Sequence, residues 1–157
     1  MSAQLHPAVA PLRGLLPLPD EGVLTAAELA TLTAAVVADA PVLRVVRHDP
    51  AQRWWVRLAL TGAVEVWLLG WSPGQDTEPH DHGGAIGCCT VVEGTLREEL
   101  FDPATAAPLG TRVHRAGTTA PFAVEHAHAV TAETRATSVH AYSPPLLPTR
   151  PLVVPGR

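Results

Sequence analysis

The chain has 157 residues, 46% of them hydrophobic, and a formal net charge of -4 with histidine neutral. That length and composition suit one folded domain over residues 1 to 157 with one sizeable core, and they speak against disorder. The mildly acidic balance argues against a nucleic-acid surface or an anionic membrane as the main partner.

Residues 1 to 22 are proline-punctuated and read as irregular. Their most apolar run, Leu15-Leu16-Pro17-Leu18-Pro19, is too short and too proline-broken for a signal peptide or a membrane span. The expectation is therefore a cytoplasmic protein, and a monomer. A helix signal follows. Thr25-Ala26-Ala27-Glu28 is a capping box, in which the threonine hydroxyl accepts from the Glu28 backbone and the Glu28 carboxylate reaches back. Leu29, Leu32, Val36 and Val37 then recur at helical spacing, and Pro41 marks the expected stop. Residues 1 to 41 thus form an irregular and helical N-terminal part.

From residue 42 to 150 the texture changes to short strands and turns. Val64-Glu65-Val66-Trp67-Leu68-Leu69 is rich in strand formers. Thr90-Val91-Val92-Glu93-Gly94-Thr95-Leu96 reads as two strands about a Glu-Gly turn, and Thr137-Ser138-Val139-His140-Ala141-Tyr142 as a strand stopped by Ser143-Pro144-Pro145. Short strands with regular Gly and Pro punctuation predict a mainly β, closed or sandwiched antiparallel fold. The two cysteines, Cys88 and Cys89, are adjacent. Neighbours in a strand point to opposite faces, so they form no ordinary disulfide with each other, and a reducing compartment fits.

Six of the eight histidines lie between residues 80 and 140. His80 and His82 are two apart, as are His126 and His128, and His140 stands two before Tyr142. In a strand such pairs share a face, so strands lining one barrel would converge several imidazoles on one pocket, and neutral imidazole is the commonest metal ligand. An isolated His-x-His is weak evidence for a metal. Here it follows Gly74 by five residues and precedes Gly94, the spacing of the first cupin motif. The glutamate usual about five residues after the second histidine of that motif is absent, with Ile86 and Gly87 in that stretch. Three neutral histidines would leave an ion its full charge, which suits an anionic ligand such as a thiolate. Such a set suits catalytic zinc as well as iron.

Pro79-His80-Asp81-His82, with Val92-Glu93-Gly94-Thr95-Leu96-Arg97-Glu98-Glu99 and Ser138-Val139-His140-Ala141-Tyr142-Ser143-Pro144-Pro145, resembles the type I cysteine dioxygenase family. Trp71-Ser72-Pro73-Gly74 fits it too, and the likeness covers roughly residues 53 to 147. The resemblance implies a single-domain cupin, an antiparallel β-barrel. It also implies one Fe(II) held by His80, His82 and a third histidine, and oxidation of L-cysteine with O2 to cysteine sulfinate. His128, in His128-Ala129-Val130, matches the third ligand, with His126 as the alternative. Arg57 matches the arginine that grips the substrate carboxylate by a bidentate fork, with Arg53 as its competitor. His140 and Tyr142 match a pair in which the imidazole orients the tyrosine hydroxyl near the reacting atoms.

Several positions depart from the family pattern. The cysteine that crosslinks to the tyrosine in animal members is Gly87 here, as in bacterial members, so no thioether to Tyr142 is expected. Ala132 stands near the place of a usual asparagine, and Trp55 where a tyrosine is often found. These changes leave the choice of thiol open. The alternatives to cysteine oxidation are a dioxygenase for another small thiol acid such as 3-mercaptopropionate, a non-catalytic metal-binding cupin that acts as a sensor, and a zinc hydrolase. The expected partners are a small-molecule thiol and O2, with no nucleic acid and no membrane.

Overall fold

The computed structural model describes residues 4–10, 18–38, 40–146 and 151–154; Leu15, Leu16 and Pro17 lie outside them. Helix α1 runs over Ala26–Val37, behind the expected capping box: the Thr25 hydroxyl accepts from the Glu28 backbone at 3.3 Å, and the Glu28 carboxylate accepts from the Thr25 backbone at 2.7 Å. The helix ends at Val37, before Pro41, which sits inside a second helical turn, α2, Ala40–Leu43. Proline is tolerated in a first turn because the N–H it lacks would have no partner there. Nor is all of the N-terminal part irregular. Gln4–Leu5, β1, pairs antiparallel with β2, Trp54–Leu60.

Seven further strands follow: β3 Glu65–Trp71, β4 Ile86–Glu93, β5 Thr95–Phe101, β6 Pro108–Arg115, β7 Thr119–Phe122, β8 Ala127–Ala132 and β9 Ala136–Ser143. One sheet has the order β1-β2-β3-β9-β4-β7 and the other β6-β5-β8, with all neighbours antiparallel. The turn between β4 and β5 is Gly94, at φ 77°, where an added Cβ would lie 2.1 Å from the Arg135 carbonyl oxygen. Glycine is the residue that fits both demands.

Side-chain alternation divides the large sheet into two faces. Val66 and Leu68 of β3, Cys88 of β4, and Val139 and Ala141 of β9 pack in one core with Leu29, Leu32 and Val36 of α1. Each of those helical side chains is fully buried, and each contributes roughly 1.5–3 kcal/mol to docking the helix. The opposite face packs on the small sheet, where Trp71, Val91 and Ala136 meet Leu96, Val130 and Ala132. Ser138, His140 and Tyr142 alternate with the helix-facing positions of β9 and so belong to this inner face. The apolar layer between the sheets fills one end, and the histidines gather at the other. Among the described residues, no helix is long and apolar enough to cross a membrane.

Candidate metal centre

His80 and His82 do not stand in a regular strand. After β3, residues 74 to 80 follow the edge of β8 in an irregular extended run. Gly74 N–H donates to the Ala132 carbonyl at 2.8 Å, Thr77 N–H to that of Val130 at 2.9 Å, and His80 and His128 exchange both backbone bonds at 2.9 Å. The run then turns through Gly83 and Gly84, both at positive φ, which leads the chain back to β4. Backbone pairing with β8 therefore sets His80 against His128. His82 lies under Phe122 of β7, its ring stacked on the phenyl with centroids 4.6 Å apart.

The result is one cluster. His80, His82 and His128 each offer a ring nitrogen within 4.8 Å of the other two. His80 Nδ1–H donates to the Glu78 carbonyl at 2.7 Å, and His128 Nδ1–H to Oε1 of Glu98 at 2.7 Å. With Nδ1 committed, each presents Nε2 as the bare donor. His82 is 1% exposed, and neither of its ring nitrogens has a hydrogen-bond partner. An unsatisfied buried polar group is costly, and a metal ion at the centre of this cluster would give one of the two His82 nitrogens a partner. The residues present thus fit a metal bound by three imidazoles. Burial, then the neighbouring His128 and His80, lowers the His82 pKa to about 2. Burial lowers that of His128 to about 4 and also brings His80 down. All three are neutral, and competent as ligands, at neutral pH.

His126, the alternative third ligand, is turned elsewhere. Its Nε2 lies 2.7 Å from Oε1 of Glu98, and with Glu98 and His128 it forms a second cluster behind the first. Glu98 carries no role in the sequence reading, although a signal for it is present. It lies two residues from both Leu96 and Leu100 along β5 and so shares their face, which puts a carboxylate on a strand's inward face. Burial alone would raise its pKa, but the imidazoles of His114, His126 and His128 hold it well below the usual carboxylate range.

Opposite the ligands stands a chain of polar side chains from the inner face of β9. Trp71 Nε1–H donates to Ser138 Oγ at 2.9 Å, Ser138 Oγ lies 2.9 Å from His140 Nε2, and His140 Nδ1 lies 3.3 Å from the Tyr142 hydroxyl. Indole only donates, so Ser138 Oγ accepts from Trp71 and keeps its own proton available to His140 Nε2; in that tautomer His140 Nδ1–H donates to the Tyr142 oxygen. Burial lowers the His140 pKa to about 3 and raises that of Tyr142, so the hydroxyl keeps its proton. Cys89 Sγ is 3.5 Å from His140 Nε2, while Cys88 Sγ is 3.6 Å from the Thr33 hydroxyl on the helix-facing side. Both cysteines are free. Gly87 is the partner of Tyr142 across the β4–β9 ladder, and an added Cβ there would sit 2.2 Å from the Phe122 ring.

Trp71, His140 and Tyr142, with His80 and His128, border a cleft of ≈ 620 Å³ that Arg53 also lines. The two arginines are placed differently. Arg57 is paired with Trp67, and Trp67 with His140, so two strand spacings, roughly 10 Å, separate it from His140. Its Nη1 donates to Glu65 at 3.2 Å, its side chain is 41% exposed, and it does not line the cleft. The basic group at the cleft is Arg53, whose guanidinium carbon lies 4.9 Å over the Trp71 ring. Its Nη1 donates to the Asp76 carbonyl at 3.0 Å, and its buried Nε has no partner. The motif spacing that points to Arg57 carries no information about Glu65, which neutralises it.

The family model for cysteine dioxygenase type I matches residues 7–151. Among solved structures, the chain is similar to an uncharacterised Klebsiella pneumoniae protein with a double-stranded β-helix domain, at TM-score 0.59 and 16% identity, over 69% of this chain and 85% of that one. It is also similar to a cupin superfamily protein from Desulfitobacterium hafniense, at TM-score 0.54 and 15% identity, over 80% and 94%. A third similar structure comes from Thermus thermophilus, at TM-score 0.55 and 17% identity, over 66% and 93%. At such identities these likenesses speak for the fold, a cupin, and for nothing finer.

Proposed function

The chain belongs to the cysteine dioxygenase type I family, and from that membership we propose that it is a thiol dioxygenase whose His80, His82 and His128 hold one Fe(II). The observation that carries the reading is the His82 imidazole, buried with both nitrogens unpartnered beside two histidines that present Nε2. Iron(II) on these three imidazoles would supply the open positions at which a thiolate and dioxygen meet, for the net change R–S⁻ + O2 → R–SO2⁻.

The protein's part is to bind, orient and protect. The Tyr142 hydroxyl, kept protonated by burial and oriented by His140, offers one hydrogen bond into the cleft toward the reacting atoms. Arg53 is the cationic group in position for the substrate carboxylate. Its place in the cleft wall and its unpartnered Nε support that role, whereas Glu65 already occupies Arg57. The substrate class is thus a small thiol bearing a carboxylate. L-Cysteine is the substrate we infer, with 3-mercaptopropionate as its competitor.

The test is anaerobic loading with Fe(II), then O2 with L-cysteine or 3-mercaptopropionate in parallel, with products identified by mass. Two oxygen atoms gained on cysteine, faster than on the other thiol, is the expected result. No product from either would overturn the enzymatic reading in favour of a binding module. Arg53→Ala should raise KM by roughly 10- to 100-fold and Arg57→Ala by less than about 3-fold, the difference between losing a bidentate contact to the substrate carboxylate and losing an ion pair to Glu65 outside the cleft. The reverse order would return the carboxylate to Arg57.

A further inference from the structure

Behind the three-histidine group lies a buried carboxylate that the proposed chemistry does not use. Glu98 is 5% exposed on the inner face of β5. Its register neighbours Leu96 and Leu100 pair with His114 of β6 and His128 of β8, so both imidazoles stand diagonally across from it. His114 Nε2 is 2.8 Å from Oε2, while His126 Nε2 and His128 Nδ1 are each 2.7 Å from Oε1. An ionised carboxylate only accepts, so all three nitrogens donate to it. Two of these bonds tie Glu98 to positions that hold no metal ligand. The third fixes His128.

We propose that Glu98, clamped by His114 and His126, is a positioning residue that holds His128 in the one tautomer and ring orientation that directs Nε2 at the metal. The proposal rests on the reading that His80, His82 and His128 bind the ion. It also accounts for where the site's negative charge has gone. The glutamate of the cupin ligand set is missing at residues 86 and 87, and the nearest buried carboxylate acts through an imidazole instead. The ion keeps its charge for an anionic substrate, while His128 becomes a stronger donor than an imidazole bonded to a neutral carbonyl. A rival arrangement is geometrically available. Glu98, His126 and His128 also lie within 4.8 Å of one another and could ligate a second ion. Their nitrogens facing Glu98 are already satisfied, unlike those of His82, and an ion there would compete for His128 Nδ1.

Co(II) serves as the probe, since its visible absorption reports ligand field without turnover. Wild type, His82→Ala, Glu98→Gln and His114→Gln would be titrated with Co(II) against a chelator, with bound metal counted and circular dichroism recorded. The expected result is one ion per wild-type chain, none with His82→Ala, and roughly 10- to 100-fold weaker binding with shifted bands for Glu98→Gln. His114→Gln, which loosens the clamp and leaves the His128 bond in place, should weaken binding by roughly 2- to 10-fold, and it carries the test if Glu98→Gln fails to fold. Wild-type affinity and spectrum in the folded variants would overturn the positioning role while His82→Ala still loses the ion. Two ions in wild type and one in Glu98→Gln would overturn it by making Glu98 a ligand. Binding by His82→Ala equal to wild type would overturn the three-histidine reading itself, and the proposal with it.

Discussion

The two nitrogen edges of the His128 ring border two groups of histidines with opposite hydrogen-bond states. On one side, His80, His82 and His128 converge with bare nitrogens, and His82 has no partner at all. On the other, His114, His126 and His128 close around Glu98 with every facing nitrogen bonded. Clustered imidazoles therefore do not by themselves make a metal site. What distinguishes the groups is whether protein atoms already satisfy the nitrogens. The burial cost of an unsatisfied group is offset only when a ligand arrives.

Breaking the open group should have the largest effect. His82→Ala should reduce turnover of the thiol to the level of the metal-free protein, a loss of at least about 10³-fold, because two imidazoles leave the ion too weakly held. Oxygen uptake with a metal count checks this. A sharper form needs no turnover. Fe(II) added without oxygen at about 100 times its dissociation constant should stabilise wild type by roughly 2.7 kcal/mol and His82→Ala by almost nothing, seen as a shift in melting temperature.

Acid should act next, through the neutral buried histidines. The folded values of about 2 for His82, about 4 for His128 and about 3 for His140 all lie below the ordinary value of 6.5. Below pH 6.5 the unfolded chain takes up protons that the folded chain refuses, so stability is intact above that pH and falls as pH drops toward 4. The slope is up to about 1.4 kcal/mol per pH unit for each group. Glu98, held low in the folded state, adds to the loss only below its ordinary value of 4.5. Melting of the metal-free protein from about pH 7 down to about pH 5 should therefore show a falling midpoint, and the fall should be shallower in His82→Ala. A flat profile in wild type would mean that these histidines take up protons without unfolding.

Much of this contrast is legible in the sequence. The capping box at Thr25, the glycine turn at Gly94 and the inner-face alternation of His140 with Tyr142 are local signals, and local geometry obeys them. His80 and His82 enter the site from an irregular run rather than a strand, because pairing with β8 sets His80 while glycine turns set His82. Arg53 and Arg57 are separated by facts of tertiary origin: a glutamate across the sheet from one, and the cleft beside the other. The clamp on Glu98 is hidden for the same reason. Its partners come from β6 and β8, and nothing in the spacing of residues 98, 114, 126 and 128 reveals that they share one carboxylate.

The smallest expected effect concerns the contact that the two groups share. The Phe122 ring stacks on His82 at 4.6 Å and on His126 at 4.7 Å, while the two imidazoles lie 6.0 Å apart, so the phenyl rests against the open group and the closed one at once. It can do so because Gly87, beneath it on β4, has no side chain. A Cβ there would meet the phenyl at 2.2 Å, far inside contact distance. Gly87→Ala should therefore push Phe122 off its place, at a cost of about 1–3 kcal/mol in stability, typical of overpacking a filled site. Phe122→Leu added to Gly87→Ala should recover part of that loss by making room. If the phenyl matters only as packing, the double variant should also regain wild-type Co(II) affinity. If it matters as the surface that orients both rings, affinity should stay reduced after stability returns, because a flexible leucine no longer holds the His82 and His126 rings in place.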